Sequence, residues 1–302
     1  MIGAYPKILN FGQPYIKDIF DGEVIVEEKL DGSQASWIKI DGELIFRSKG
    51  KIQQIECPDK LFSQGIEYLK SIIHLIPENI QFYAEYLKSP KHNVIAYDRI
   101  PKNHFMLFGM VHKNTQTFVS ERAVLEGYAD LLGIDVVPLI YKGRIESAEQ
   151  LKDFLNRDSF CGGAKIEGVV VKNYNKNLIL GGQVIPIMCG KYVSEAFKEV
   201  HQRTWKKENT GKGKWETFKD GYKTEARWLK AIQYLRDSGE LELNPKDIGK
   251  VMKRINIDII EEEKEVIKDF LWKEFGSEVL KSATRGVPEF YKEWLLNQNF
   301  GE

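Results

Sequence analysis

No stretch of this sequence approaches the roughly 18 apolar residues that a membrane-spanning helix requires. Nor does an apolar leader follow Met1: the chain begins Ile2-Gly3-Ala4-Tyr5-Pro6-Lys7, so neither a signal peptide nor a membrane partner is expected. Cysteine is scarce and odd in number, and Cys57, Cys161 and Cys189 form no Cys-x-x-Cys pair. That argues against a disulfide framework and a structural zinc site, and it points to a reducing, cytoplasmic setting. Charge of one sign is not in excess either, since 44 Lys+Arg face 44 Asp+Glu. A balanced chain has no global attraction to nucleic acid, so any basic surface must be local. Internal repeats and low-complexity tracts are lacking as well. What is there is 302 residues, 42% apolar and 12% aromatic, an ordinary globular composition long enough for two domains.

Hydrophobic patterning divides the chain near residue 203. Before it, β-rich runs alternate with a few helices. Gln34–Ile40 and Glu43–Arg47 flank Asp41-Gly42 and predict a hairpin. Further strands are expected at Gln81–Leu87, Phe105–Val111, Ile166–Lys172 and Ile185–Val193. Helical spacing marks 59–75 and 120–132, the latter stopped by Gly133. A helix over 147–156 carries Ser147 and Gln150 in capping-box positions. After Thr224 the pattern is helical: one face of Leu229, Ile232 and Leu235 ending at Gly239, a start at Asn244-Pro245, a long stretch after Asp258 ended by Gly276, and a last helix with Phe290 and Trp294. The expectation is an α+β domain followed by an all-helical one.

Chemistry concentrates in five segments. Lys29-Leu30-Asp31-Gly32-Ser33 closes a β-rich run, Val24 to Glu28, and aims an amine beside a carboxylate at a tight bend. Asp-Gly between apolar runs is first of all a hairpin signal. Glu85 ends Phe82-Tyr83-Ala84-Glu85, and Phe108 lies in Phe105-Met106-Leu107-Phe108-Gly109. Glu167 and Lys172 bracket a buried-looking strand, and Lys191 sits in Cys189-Gly190-Lys191-Tyr192-Val193. A lone Glu or Lys on a strand usually faces solvent, and a lone Phe is usually core. Charges inside apolar strands are costly unless paired or engaged, so the set in this order favours a site.

Lys29-Leu30-Asp31-Gly32 resembles the KxDG motif of the covalent nucleotidyltransferases, the polynucleotide ligases and mRNA capping enzymes. Glu85 resembles the glutamate of their third motif, Phe108 the aromatic that follows, Glu167-Gly168-Val169-Val170-Val171-Lys172 the fourth motif, and Lys191 the lysine of the fifth. The resemblance covers about residues 20–200. It implies a nucleotidyltransferase domain built on antiparallel sheets with flanking helices, an ATP substrate, Mg²⁺ or Mn²⁺, and a lysyl-AMP intermediate on Lys29. Catalytic roles would fall to Lys29, Asp31, Glu167, Lys172 and Lys191. Nucleotide contacts would come from Glu28, Lys29, Arg47, Glu85, Phe108, Lys172 and Lys191, with Lys49 competing for the role of Arg47. Metal contacts would come from Glu167 and Glu85, with Asp31 behind them. Lysine must shed its proton to attack phosphorus, and Lys172, Lys191 and the metal would assist by disfavouring the ammonium. Two departures stand out. Gly109 occupies a place where many relatives have Asp, and a paired lysine of the fifth motif is replaced by Cys189 or by Val193.

DNA ligases and capping enzymes usually append a β-barrel, and NAD-dependent ligases an N-terminal module, for which 28 residues before Lys29 are too few. Periodicity reads the C-terminal third as helical. The resulting architecture, an adenylyltransferase domain plus a small helical domain, resembles RNA ligases of the second family, which implies an RNA partner bearing 3′-OH and 5′-phosphate ends, as at nicks in duplexes. The expected layout is an adenylyltransferase domain over 1–202, a basic aromatic linker over 203–223 and a helical domain over 224–302. From Arg203 to Lys230, nine Lys/Arg face four acids, interleaved with Trp205, Trp215, Phe218, Tyr222 and Trp228. That segment suits RNA contact or a hinge whose rings pack on a neighbour. Lys264, Lys268 and Lys273 read as a solvated helix face. No obligate protein partner is evident. Three rivals remain: a nick-sealing DNA ligase without the barrel, a guanylyltransferase, and an inactive RNA-binding protein on the same scaffold.

Overall fold

The structure is a computed structural model that describes residues 3–180, 182–194 and 214–299. Its strands are β1 (Leu9–Asn10), β2 (Val24–Lys29), β3 (Ser33–Ile40), β4 (Glu43–Ser48), β5 (Ile80–Tyr86), β6 (Phe105–His112), β7 (Thr117–Phe118), β8 (Asp135–Val136), β9 (Leu139–Gly143), β10 (Gly168–Asn173), β11 (Leu178–Leu180), β12 (Gln183–Ile185) and β13 (Met188–Val193). Its helices are α1 (Ser63–Ser71), α2 (Arg122–Leu131), α3 (Leu151–Phe154), α4 (Lys214–Asp220), α5 (Glu225–Asp237), α6 (Ile248–Thr284) and α7 (Val287–Asn299). Two compact units divide the chain between Val251 and Met252.

The first unit is α+β. One sheet runs β1-β13-β10-β2-β9 and the other β4-β3-β5-β6-β7, with β8 also on β6. Pairing is antiparallel except for β1 on β13 and β8 on β6. Alternation along the central strands, broken by bulges at Val26/Glu27 and opposite Tyr83/Ala84, gives each sheet two apolar faces. Trp37, Phe46, Phe82 and Phe105 cover the outer face of the second sheet under α1 and α2. Val26, Val169 and Val171 cover the outer face of the first with Ile16, Ile19 and Leu151. Between the sheets lie Tyr5, Leu30, Tyr83, Met106, Phe108 and Cys189. Trp37 stacks on Phe82 at 5.4 Å with both rings fully buried, and each such side chain stabilises the fold by about 1.5–3 kcal/mol.

Asp-Gly occurs twice between strands and behaves in two ways. Asp41 (φ 51°) and Gly42 (φ 80°) are both left-handed and close the β3–β4 hairpin as a two-residue turn requires. Asp31 and Gly32 have no positive φ, and β2 and β3 do not pair. This second Asp-Gly carries the chain from one sheet to the other, so the hairpin reading of it is overturned. Strand pairing decides the matter, since β2 pairs with β9 and β10 and β3 with β4 and β5. The close approach of β5 leaves no room for a side chain at Gly32, where a Cβ would lie 2.8 Å from the Tyr86 carbonyl oxygen.

Other expectations need correction. The strand expected over 185–193 is two, β12 and β13, because Pro186 has no N–H to continue a ladder. The capping box at Ser147 does not form: Ser147 makes no cap bond, and Gln150 accepts from the Glu146 N–H instead. A capping box is present at Asn244 and Asp247, and Thr224 caps α5 through the Arg227 N–H. Neither Asp258 nor Gly276 bounds a helix, for both lie inside the 37-residue α6. The stop comes instead at Gly286 (φ 88°).

The expected boundary near residue 203, with Arg203, Trp205, Lys206, Lys207 and Lys212, lies outside the described residues. The described part of the basic segment forms α4, where Trp215 stacks on Phe218 at 5.7 Å and Lys219 lies over Trp215. In the second unit, Trp272, Phe275, Phe290 and Trp294 are exposed along α6 and α7. Among the described residues no helix is long and apolar enough to cross a membrane.

Candidate active site

β2 and β10 run side by side, and their register sets the site. Lys29, the last residue of β2, lies opposite Gly168, the first of β10. Glu167 immediately precedes that glycine, and Lys29 Nζ donates to its Oε2 at 2.5 Å. Gly168 is required there, because a Cβ would collide with the Tyr192 carbonyl oxygen of β13. From the second sheet, Glu85 approaches the same amine and accepts the Gly32 N–H at 3.1 Å. Lys29, Glu167 and Glu85 therefore converge where the two sheets meet.

The charges nearest Lys29 are carboxylates. Burial alone would favour its neutral amine, but Glu167, Glu85 and Asp31 outweigh burial and hold its pKa above the ordinary lysine value. Burial likewise pushes the Glu167 carboxyl up against the pull of Lys29. Glu85 is pushed up to about 8 by burial, with Lys29 opposing and Glu167 adding to the rise. Among the described residues no three acids, histidines or cysteines form a metal cage. Two convergent carboxylates are nonetheless a donor set that suits Mg²⁺ or Mn²⁺, since such ions keep water and phosphate oxygens as remaining ligands.

Asp31 is engaged otherwise. Its Oδ2 accepts the N–H groups of Val94 (2.7 Å) and Ile95 (2.8 Å), its Oδ1 accepts from Asn93 Nδ2 (3.1 Å), and its own N–H donates to Tyr97 Oη (2.9 Å). Glu28 points away from the amine's partners and accepts from Ser159 Oγ (2.5 Å) and the Phe160 N–H (3.1 Å). Burial raises its pKa against those bonds.

Lys172 is 1% exposed, and its Nζ meets Glu27 Oε2 at 2.6 Å and donates to the Phe108 carbonyl at 2.5 Å. Glu27 also meets Arg122 at 3.4 Å. Burial would lower the Lys172 pKa, but Glu27 more than compensates and raises it. Phe108 lies at a β-bulge, for Tyr83 pairs with Gly109 while Ala84 pairs with Leu107. Phe108, two residues after the inward Met106, faces between the sheets, where Tyr5 meets its ring edge-on at 4.9 Å, and the extra residue turns Gly109 to the same side. Gly109 explains itself in that packing, because a Cβ would press to 3.0 Å from the Tyr5 ring.

Lys191 shares a cross-strand row with Val170 and Glu27, hence the face of Lys29, and its charge acts on Glu167. Cys189 lies directly across from Lys172. A lysine there would set a second ammonium beside the first, whereas the buried thiol, pushed up to about 11 by its burial, is neutral. Arg47 on β4 pairs with Ser36, which pairs with Tyr83, so Arg47 faces the gap between the sheets, and its charge reaches Tyr83.

Four participants escaped the sequence reading. Glu27 was legible by the reasoning applied to Lys172, a charge in an apolar strand. His92, Asn93 and Tyr97 lie in a loop whose polar composition is ordinary, and no local signal marks their long-range contacts.

Residues 22–188, more than half of the chain, match the family model described as RNA ligase. Among solved structures, the chain resembles Naegleria gruberi RNA ligase with pyrophosphate at 17% identity and a TM-score of 0.48, covering 65% of this chain and 57% of that one. A substituted form of the same Naegleria protein with ATP and manganese matches with the same values, and a substituted form without ligand matches at 19% identity and a TM-score of 0.43, covering 65% and 59%. The chain thus spans less than two thirds of those proteins' length. No curated protein matches it.

Proposed function

Since this chain belongs to the RNA ligase family, we propose that it is an ATP-dependent RNA ligase that joins 3′-OH and 5′-phosphate ends through a lysyl-AMP intermediate on Lys29, sealing nicks in duplex RNA. Lys29 carries this reading: a partly buried amine at a strand end, 2.5 Å from Glu167, with Glu85 and Asp31 acting on it. The adenylyltransferase work is assigned to residues 1–202, and RNA engagement to the basic segment 203–223 with the helices of 224–302.

Three displacements follow from that arrangement. The pair Lys29–Glu167 keeps the amine charged and aimed. Glu167 Oε2 is the acceptor within reach of the departing proton. Lys29 Nζ then bonds to the α-phosphorus of ATP as the bond to pyrophosphate breaks. An oxygen of the RNA 5′-phosphate attacks that phosphorus next and restores the free amine. Finally the 3′-oxygen attacks the 5′-phosphate and AMP leaves. A divalent cation held by Glu167 and Glu85, when bound, supplies charge that offsets these carboxylates and the phosphate oxygens. Asp31 holds the turn behind the nucleophile. Phe108 forms a wall of the base pocket, Lys172 fixes that wall through the Phe108 carbonyl, and Lys191 and Arg47 supply positive charge facing the phosphates.

The test is to incubate the protein with α-labelled ATP and Mg²⁺ and denature it. Label is expected to stay on the wild type and to be absent from Lys29→Ala. Label on another lysine of that variant would refute the assignment. Nicked duplexes with RNA or DNA on the 3′-OH side then separate the two nick-sealing readings.

A further inference from the structure

We propose that α5 positions the nucleophile: Arg236, from the helical part of the first unit, holds the 92–97 loop that in turn grips the Asp31-Gly32-Ser33 turn behind Lys29. The inference rests on the lysyl-AMP reading and extends it to a residue some two hundred positions from the lysine.

The chain of bonds is continuous. Arg236 Nη2 donates to the His92 carbonyl at 3.0 Å. His92 Nδ1 accepts the Lys88 N–H at 3.0 Å. That contact requires the ring proton on Nε2, so Nε2 donates to Ser33 Oγ at 2.9 Å. Asn93 Nδ2 donates to both Asp31 Oδ1 (3.1 Å) and the Gly32 carbonyl (3.0 Å). The next two N–H groups, of Val94 and Ile95, close on Asp31 Oδ2, and Tyr97 Oη takes the Asp31 N–H. Four consecutive residues, 92–95, thus hold residues 31–33 from one side while Glu85 takes the Gly32 N–H from the other.

The turn has no intrinsic reason to adopt this shape. It is a crossover between sheets, without a hairpin ladder of its own, so the β2–β10 register and Glu167 hold Lys29 from one side and the clamp on the following three residues completes its placement. The loop itself lacks a strand ladder beyond one bridge, Lys91 with Ala96. A charged donor from a capped 13-residue helix supplies the external hold. Arg236 touches no reacting atom, and its role is positioning: a small misplacement of an attacking group costs on the order of a hundredfold in rate.

The experiment compares two steps in one protein. Adduct formation with α-labelled ATP uses Lys29 as nucleophile, whereas sealing of a pre-adenylated RNA nick does not. Arg236→Ala is expected to slow single-turnover adduct formation at saturating ATP by about tenfold or more, with ATP affinity unchanged and sealing of the pre-adenylated nick altered by less than about threefold. Arg236→Lys, which keeps one donor, is expected to fall between. Ser33→Ala cuts the same path at its other end, so the double variant should be no slower than the slower single one. The inference is overturned if Arg236→Ala forms the adduct within about twofold of wild type, if both steps fall equally, or if the two substitutions multiply. Should Arg236→Ala fail to fold, Ser33→Ala and Arg236→Lys decide in its place, and adduct rates within about twofold of wild type in both overturn it. A wild type that takes up no label would refute the lysyl-AMP reading itself, an outcome distinct from all of these.

Discussion

The buried pair Glu27–Lys172 allows a quantitative prediction that separates a structural lysine from a phosphate-binding one. Both side chains are nearly inaccessible, 4% and 1% exposed, and their charged atoms are 2.6 Å apart. Removing one partner of such a pair costs about 3–5 kcal/mol, because the other charge is left in the interior. The two single substitutions should not be equal. Lys172→Met leaves Glu27 with Arg122 at 3.4 Å, so its cost should lie near the bottom of that range, about 3 kcal/mol. Glu27→Leu leaves an ammonium against the neutral Phe108 carbonyl, and its cost should lie near the top, about 5 kcal/mol. At about 2–4 °C per kcal/mol for a unit of this size, the melting temperature should fall by about 6–12 °C for Lys172→Met and about 10–20 °C for Glu27→Leu. The double variant Glu27→Leu/Lys172→Met removes both charges and should return to within about 1–2 kcal/mol of wild type. Urea and thermal unfolding at pH 7.5 measure all three. The reasoning fails if both single variants lie within about 1 kcal/mol of wild type, or if the double variant sums the two losses. A Lys172→Met protein of wild-type stability that forms no AMP adduct would instead put that ammonium on a phosphate.

Two further outcomes depend on pH. With Glu85 pushed up to about 8 by burial, cation binding must expel its proton, so apparent Mn²⁺ affinity should rise with pH up to about 8 and flatten above. Glu85→Gln should abolish the slope, and equal wild-type affinity at pH 6.5 and 8, read by calorimetry, would contradict the pairing of Glu85 with the metal. His92 is pulled down to about 4 chiefly by burial, Asp31 opposing and Arg236 and Lys88 assisting. Its unfolded value is near 6.5, so the unfolded chain binds the proton first and stability is full above about 6.5 and lost as pH falls toward 4, by roughly 3 kcal/mol in all. His92→Gln should remove that component from the urea midpoint measured between pH 7 and 4.5, and an unchanged pH profile would show that the imidazole is not held neutral.

Local chemistry was legible at several places where neighbours in sequence are neighbours in space, though the capping box expected at Ser147 did not form. Asp41-Gly42 needed nothing beyond its own two residues and flanking apolar runs to make a hairpin, and Thr224 and Asn244 marked their helix starts. The motif resemblance singled out Lys29, Glu85 and Glu167, which the fold brings together. Tertiary structure decided what those components face. The same Asp-Gly pair at residues 31–32 became a crossover because β2 pairs with β9 and β10 while β3 pairs with β4 and β5, so neither strand has an edge left for the other. Lys172 met Glu27, a bulge turned Gly109 to the side of Phe108, and Gly276 stayed inside a helix. Each outcome depends on pairings between distant strands or on burial, and these are energies of packing that no short window of residues contains.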